Sequence, residues 1–467
     1  MGYVAVKGGS EAIEASLNRL KRQRLEDGVP LDAAAVRGGM KVLIDQVMSE
    51  ASLYDETTAS VAVKQAEGSP EEAVFLLRAF RSTLPRLHYS REIRTEGMWT
   101  ERRISASFKD IPGGQILGTS PDYSHRLLDF GLLEETGEDV RRFLDEARDV
   151  LSSEEGAASG KSGSASPGGG ANEVPPVFGA TSSPRGAAAD LSALPKVVDY
   201  LRREGLMAEP LASGEEPKDI TQETLTFPTK RAERLQILSR GQTGAVTAFG
   251  YAALRGYGAV LHPTVGELRV GLLPVTVPDP YALQGSDEGR GNGGSPTGDF
   301  GSGGDDSEDD YYIGEIRVTE VESLIPVPVK RPGGRTEIEF SLGYGICFGR
   351  NETKAIAMSL LDFNLADGDR EAAVGDEELI LLHVDSVEAT GFMSHLKLPH
   401  YVTFQSKLDS VRKARSGGAG AADGPDGGNA AEAGPQAVGA AAMSGVSFAA
   451  PKVGGARAGG FPEGGRA

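Results

Sequence analysis

The segment Glu267-Leu-Arg-Val-Gly-Leu-Leu-Pro-Val-Thr-Val277 alternates apolar and polar residues over most of its length. Ile316–Val321 and Thr336–Leu342 repeat the alternation, which is typical of half-buried β-strands. Leu379–Val387 is a continuous apolar run, and we interpret it as a buried strand. Because helical patterns flank these segments, the sequence predicts an α+β fold whose sheet is mixed or antiparallel.

Helix signals dominate the first third of the chain. Ser69-Pro70-Glu71-Glu72 combines a capping serine, a proline suited to the first turn and an acidic residue that completes a capping box. Farther along, Thr229–Gly241 and Gln242–Gly256 predict two helices separated by Gly241, and Glu352–Asp362 predicts another. The fold is therefore expected to begin with a mainly helical part.

The distribution of glycine and proline indicates which parts of the chain are folded. The chain has 467 residues, of which 63 are glycines and 26 are prolines. Much of this excess lies in three segments rich in small residues, which we interpret as a flexible linker, an acidic insertion and a disordered tail: 152–190, 284–310 and 416–467. What remains predicts a helical N-terminal domain over 1–151 and an α+β domain over 191–415.

Composition excludes several classes of protein. A formal net charge of -19 disfavours broad binding to a phosphate backbone, so nucleic acid is not an expected partner. No apolar run is long enough to cross a membrane, and the first residues lack a signal peptide. The single cysteine, Cys347, cannot form an internal disulfide. We expect a cytoplasmic protein.

Two groups of basic residues stand out in this acidic chain. Lys230, Arg231, Arg234 and Arg240 fall within eleven residues and could hold a polyphosphate through charge-assisted hydrogen bonds. A solvated helix face is the alternative interpretation. Lys109, together with the dipeptide 102–103 (Arg-Arg), predicts a second basic patch with the same two interpretations.

The histidines offer few metal or acid–base sites. His395 and His400 are five residues apart with Pro399 between them, so they cannot share one face of a helix. A loop could bring both to one ion, although a zinc site needs further ligands. His383 lies in the apolar run and is expected in the core.

A second histidine site is conceivable in the N-terminal part. If the segment around it is helical, His125 and Asp129 lie one turn apart, which would let the carboxylate orient the imidazole for proton transfer. An ordinary surface pair is the alternative.

Several long blocks resemble one family, the I subunit of the bacterial carbon–phosphorus lyase machinery. The resemblance extends from Met1 to about Arg415, apart from the loose segments, and rests on these blocks: 3–9 (YVAVKGG), 75–86, 103–115 (RISASFKDIPGGQ), 234–241 (RLQILSRG), 255–258 with 262–263, and 391–405.

The resemblance implies a function. Members of this family act with G, H and J subunits in a core complex in which self-association is also expected. Together they attach alkylphosphonate to the ribose C1' of ATP and displace adenine. The product is α-D-ribose 1-methylphosphonate 5-triphosphate. Alone, the subunit is expected to act as a purine nucleosidase on ATP or GTP.

The resemblance also implies roles for particular residues. His395 and His400 match the family's zinc ligands at the interface with the J subunit. The basic residues become candidates to bind the triphosphate together with Mg²⁺. His125, Asp129 and Asp110 are candidates for the acid and the stabilising carboxylate that N-glycosidic cleavage requires. A non-catalytic scaffold, or a metal-dependent nucleotide phosphohydrolase, would be a different function for the same chain.

Overall fold

The computed structural model describes residues 9–111, 113–159, 194–209, 217–256, 262–278, 310–367, 373–397 and 401–418. These residues form an α+β fold, as the sequence predicts, with α-helices around one antiparallel sheet. The acidic insertion at 284–310 falls outside the described residues except for Asp310, and the tail outside them beyond residue 418.

Helices fill most of the N-terminal part. Ser69 begins α5 as predicted: its hydroxyl accepts a hydrogen bond from the amide of Glu72, and Pro70 occupies the first turn. Residues of α2 to α5, among them Met48 and Leu77, share one buried apolar cluster. The helices of this part are α1 (Gly9–Arg24), α2 (Ala33–Gly39), α3 (Lys41–Ala51), α4 (Glu56–Gln65), α5 (Pro70–Ser82) and α6 (Gly137–Ser159).

Four strands follow one another in sheet order, and each is antiparallel to its neighbour. The register places Arg103 opposite Arg269, and Arg269 opposite Glu320. The three strand predictions around Glu267, Ile316 and Thr336 are confirmed. The strands are β1 (Trp99–Ser105), β2 (Thr264–Pro278), β3 (Asp310–Lys330) and β4 (Thr336–Phe348).

One face of the sheet packs closely against α10 (Glu352–Asp367). A Cβ atom at Gly343 would lie 2.2 Å from the carbonyl oxygen of Ser359, and one at Gly345 would lie 2.0 Å from that of Ala355. Only glycine allows the backbone of α10 to approach so closely. A hydrogen bond of 2.7 Å between the hydroxyls of Ser323 and Ser359 joins the same two layers.

The other helices of this part complete the layer around α10. Residues of α8, α9, α10 and α11 form one buried apolar cluster. Gly241 separates α8 from α9, as predicted. These helices are α7 (Val197–Arg203), α8 (Arg231–Arg240), α9 (Thr243–Gly256), α11 (Glu377–His383) and α12 (Ser386–His395).

The strand predicted over Leu379–Val387 is wrong, because this segment belongs to α11 and the start of α12. Asp376 caps α11 by accepting from the amide of Leu379 at 3.0 Å, and Asp385 caps α12 in the same way. A short apolar run has no periodicity that separates a strand from a helix. His383 is consequently exposed at the end of α11 rather than in the core.

The helical and α+β ranges share one sheet, because β1 lies within residues 1–151 and pairs with β2. Residues Ala5–Pro399 form one compact unit. A second unit comprises Met1–Val4 and His400–Ala467, in which the structure describes α13 (Tyr401–Gly418). Among the described residues, no helix has both the length and the apolar character needed to span a membrane.

Candidate functional site

The basic residues at the start of α8 are bound to acidic residues of neighbouring helices. Arg231 forms an ion pair with Asp362 of α10 at 2.5 Å and donates to the carbonyl oxygen of Leu342. Arg234 lies 3.6 Å from the carboxylate of Glu377 at the start of α11. Lys230 precedes α8 as its N-cap residue. The two arginines therefore tie α8 to α10 and α11.

Arg240, at the other end of α8, is different. Its side chain is half-buried, and within the described residues its guanidinium has no hydrogen bond or ion pair. Burial, and after it the charges of Arg78 and Arg81, lower the pKa of Arg240 to about 10. The structure thus places Arg240 apart from the cluster that the sequence predicts.

The second basic patch predicted from the sequence is wrong, because two of its three members are buried. Arg102 forms ion pairs with Asp122 at 2.5 Å and with Glu352 at 2.7 Å. Arg103 pairs with Glu267 of β2 at 2.5 Å, and both side chains are almost inaccessible to solvent. Lys109 alone is exposed.

The candidate acid–base residues lie between β1 and α6. Asp110, His125 and Asp129 are all exposed. The segment that contains His125 is not helical, because Arg126 has a positive φ of 51° and the chain around it forms turns. Asp129 accepts a hydrogen bond from the amide of Gly131 at 2.9 Å and begins a short 3-10 helix. The predicted one-turn pairing of His125 with Asp129 is therefore not formed.

On the face of the sheet opposite α10 lies a group of ionisable side chains that we call the buried carboxylate cluster: Glu320, Glu322, Lys196, Arg269 and Tyr344. The ammonium group of Lys196, just before α7, lies 2.8 Å from Glu320 Oε1 and 3.1 Å from Glu322 Oε1. The guanidinium of Arg269 donates to Glu320 Oε2 at 2.6 and 3.1 Å.

Two hydroxyl groups complete the shell around Glu320. Thr95 Oγ1 lies 2.6 Å and the Tyr344 hydroxyl 2.9 Å from Glu320 Oε1. Glu322 is less well satisfied, since its Oε2 atom is buried without a hydrogen bond in the described residues. Glu320 thus accepts from four groups, while Glu322 relies on Lys196 alone.

Because their surroundings differ in this way, the pKa values of the two carboxyl groups are shifted in opposite directions. Burial alone would raise the pKa of Glu320, but Arg269 and Lys196 outweigh it and hold that pKa well below the usual range. Burial raises the pKa of Glu322, and the negative charge of Glu320 adds to the rise. Glu320 therefore stays ionised, while Glu322 keeps its proton to a higher pH than an ordinary glutamate.

The buried carboxylate cluster is almost inaccessible to solvent. The side chains of Glu320 and Glu322 are 1% and 5% exposed, and that of Lys196 is 8% exposed. Through its ion pairs with Glu320 and Glu322, Lys196 holds the start of α7 against the centre of the sheet. The cluster's ion pairs and hydrogen bonds hold these side chains in place within the fold.

Comparison with known proteins agrees with this chain's resemblance to a family. The model of the bacterial phosphonate metabolism protein (PhnI) family matches residues 2–418. The chain belongs to the PhnI family. The resemblance that the sequence blocks indicated is thereby confirmed.

Named relatives of this PhnI family member are similar over almost their whole length. HtxH of Stutzerimonas stutzeri, described as a candidate C-P lyase subunit, is 39% identical over 422 residues, covering 88% of this chain and 95% of HtxH. PhnI of Escherichia coli K12, named as an alpha-D-ribose 1-methylphosphonate 5-triphosphate synthase subunit, is 37% identical over 88% of this chain and 98% of its own. PhnI of Rhizobium meliloti 1021 carries the same name at 37% identity, with 88% and 95% coverage.

The metal ligands implied for a PhnI chain were His395 and His400. His395 ends α12, where its Nδ1 lies against the carbonyl oxygen of Phe392 and its ring packs edge-on against the Phe392 ring at 4.9 Å. His400 lies outside the described residues. In the part of the chain that the structure describes, no group of three or more histidine, cysteine or acidic side chains could hold a metal ion. The described residues do not form a zinc site by themselves.

Proposed function

We propose that this chain is a subunit of the enzyme that displaces adenine from ATP with an alkylphosphonate, in the degradation of phosphonates by carbon–phosphorus lyase. The observation that carries the proposal is the family match over residues 2–418, together with two relatives named as alpha-D-ribose 1-methylphosphonate 5-triphosphate synthase subunits. Alone, the chain would use water in place of the phosphonate and release the purine from ATP or GTP.

The reaction exchanges one bond at the ribose C1' for another. The bond from C1' to the adenine nitrogen breaks, an oxygen of the phosphonate bonds to C1', and a proton goes to the departing base. An oxocarbenium-like transition state calls for a nearby carboxylate and for an acid to protonate the base. We propose His125, Asp129 and Asp110 for these roles, since all three are exposed and a substrate could reach them.

An exposed apolar surface supports the role of a subunit within a complex. Five leucine and phenylalanine side chains between β1 and α6 are 66% to 83% exposed, which is unusual unless another protein covers them. We propose the G, H and J subunits, and a second copy of this chain, as the companions in the assembly. The exposed apolar residues are Leu127, Leu128, Phe130, Leu132 and Leu133.

The proposed activity is tested by incubating the purified protein with ATP and Mg²⁺, with and without the companion subunits and methylphosphonate. Free adenine is expected in each case, and with the companions also the phosphonate ester of ribose 5-triphosphate. If no adenine forms in any of these mixtures, the chain is a scaffold. Inorganic phosphate without adenine would instead indicate a nucleotide phosphohydrolase.

The zinc proposal concerns the assembled complex, where a partner can supply the remaining ligands. Replacing both His395 and His400 with alanine is expected to lower the zinc bound per complex, measured by elemental analysis. His383→Ala is the matched control, because His383 is an exposed histidine at the end of a neighbouring helix. An unchanged zinc content in the double variant would contradict the assignment.

A further inference from the structure

Four arginines come together where α5, the end of α8 and the start of α12 meet. Arg78 and Arg81 lie on α5, Arg86 follows α5, and Arg240 ends α8. Arg78 joins α5 to the end of α8 directly, because its Nη2 donates to the carbonyl oxygen of Arg240 at 3.2 Å. We call these four residues the arginine cluster.

Two members of the arginine cluster have acidic partners. Arg78 forms an ion pair with Asp385 at 2.6 Å and donates twice to the carbonyl oxygen of Glu50, at 2.8 and 3.1 Å. Arg86 pairs with Asp219 at 2.7 Å and donates to the hydroxyl of Thr221 at 2.6 Å. These contacts explain why Arg78 and Arg86 are present.

Arg81 and Arg240, the other two members, have guanidinium N–H groups that make no hydrogen bond within the described residues. Arg81 uses only its Nη1, which donates to the carbonyl oxygens of Ala51 at 2.7 Å and Ser52 at 3.5 Å. Arg240 donates to nothing in the described residues, and none of its nitrogens is among the buried groups without a partner, so solvent reaches them. Planar guanidinium groups with unused donors are suited to bind phosphate oxygens in pairs.

The charges of this region are unbalanced. The four arginines outnumber the two aspartates that offset the repulsion among them, Asp219 and Asp385, on a chain whose formal net charge is -19. The pKa of Arg81 is lowered by burial and then by Arg78 and Arg86, and Arg240 is affected in the same way. Repulsion of this kind costs stability in the free protein, and a bound anion would relieve it.

We infer that Arg240 and Arg81, supported by Arg78 and Arg86, bind the phosphate chain of a nucleoside triphosphate. The inference rests on the proposed function for the identity of the nucleotide, whereas the preference for a polyphosphate follows from the cluster itself. The triphosphate is therefore placed at the arginine cluster and not at the start of α8, because the arginines there bind Asp362 and Glu377.

The test uses the full-length protein and measures the midpoint of thermal unfolding (Tm) with inorganic tripolyphosphate and, separately, with ATP. Both ligands are expected to raise the Tm of the wild type, because they bind the folded state. In Arg240→Gln the Kd for tripolyphosphate is expected to increase about tenfold or more, because the variant loses charge-assisted hydrogen bonds to the ligand. Without ligand, the variant should be as stable as the wild type or more so, since within the described residues the Arg240 guanidinium has no hydrogen bond or ion pair to lose.

Arg19→Gln is the matched control, because it removes the same charge from an exposed position on α1. It should retain the full rise in Tm with both ligands. An equal rise in Arg240→Gln and the wild type would overturn the inference, and so would a rise with tripolyphosphate but none with ATP. Binding is measured without turnover, so a protein that binds ATP through Arg240 yet releases no adenine would contradict only the proposed function.

Discussion

Replacing Glu320 with glutamine is expected to lower the free energy of unfolding by about 3–5 kcal/mol, because it leaves buried positive charges without their partner. Glu320 accepts hydrogen bonds from Arg269 and Lys196, and its side chain is 1% exposed. Glutamine keeps the size of the side chain but removes its charge. Denaturant unfolding of the variant and the wild type at neutral pH measures the difference.

Glu322→Gln is the matched control for this experiment. Burial raises the pKa of Glu322, so the folded state favours its protonated form, which glutamine resembles in shape and charge. We expect this variant to lose less than about 1 kcal/mol, within the range of a nearly neutral replacement of a hydrogen-bonding group. Equal losses in the two variants would show that both carboxyl groups are ionised in the folded protein.

The two carboxyl groups also predict opposite dependences of stability on pH. The folded-state pKa of Glu322 is raised above 4.5, so the folded state binds more protons and stability falls as pH rises above 4.5. That of Glu320 is lowered, so its contribution is present above pH 4.5 and is lost as pH falls below it. Glu322→Gln should therefore remove the fall in stability above pH 4.5 and leave the fall below pH 4.5 unchanged.

Gly345→Ala is expected to destabilise the protein by about 3 kcal/mol, the upper range for an added methyl group in a tightly packed core. The new Cβ would lie 2.0 Å from the carbonyl oxygen of Ala355 and 3.0 Å from the amide nitrogen of Ser359. Both atoms belong to the backbone of α10, which cannot move aside as a flexible side chain can. Thermal unfolding of the purified variant would measure the loss.

Gly391→Ala separates steric crowding from the intrinsic effect of replacing glycine. Gly391 lies within α12, and a Cβ atom there would meet nothing within 4 Å. Alanine is the better helix former by about 0.5–1 kcal/mol, so this control should be neutral or slightly more stable. A Gly345→Ala protein as stable as the wild type would mean that α10 does not rest on the sheet as described.

The helix starts and the long alternating strands could be predicted because their signals are local. Ser69 and Pro70 sit beside the helix they begin, and the alternation around Glu267 lies within a single strand. Leu379–Val387 could not be assigned this way, because the caps Asp376 and Asp385 are outside the apolar pattern or interrupt it. The family could also be predicted, since its blocks are long.

The buried carboxylate cluster could not be predicted, because acids alternating with apolar residues in a strand normally face water. Glu320 and Glu322 are covered by Lys196 and by Thr95, which lie far away in sequence. The arginine cluster could not be predicted for the same reason: Arg78 and Arg81 are distant from Arg240 along the chain. Spacing on α8 grouped Arg240 with the wrong neighbours.

The pairing of β1 with β2 joins Ser105 to Glu267, and this has a consequence for how the chain acquires its structure. The apolar cluster of α2 to α5 is local and can form while the chain is still being synthesised. β1 cannot pair until β2 has been synthesised. The long stretch of chain between the two strands then has to close into a loop, which slows folding. Until then β1 lacks its partner strand, and unpaired strand edges of this kind can pair with other chains and aggregate.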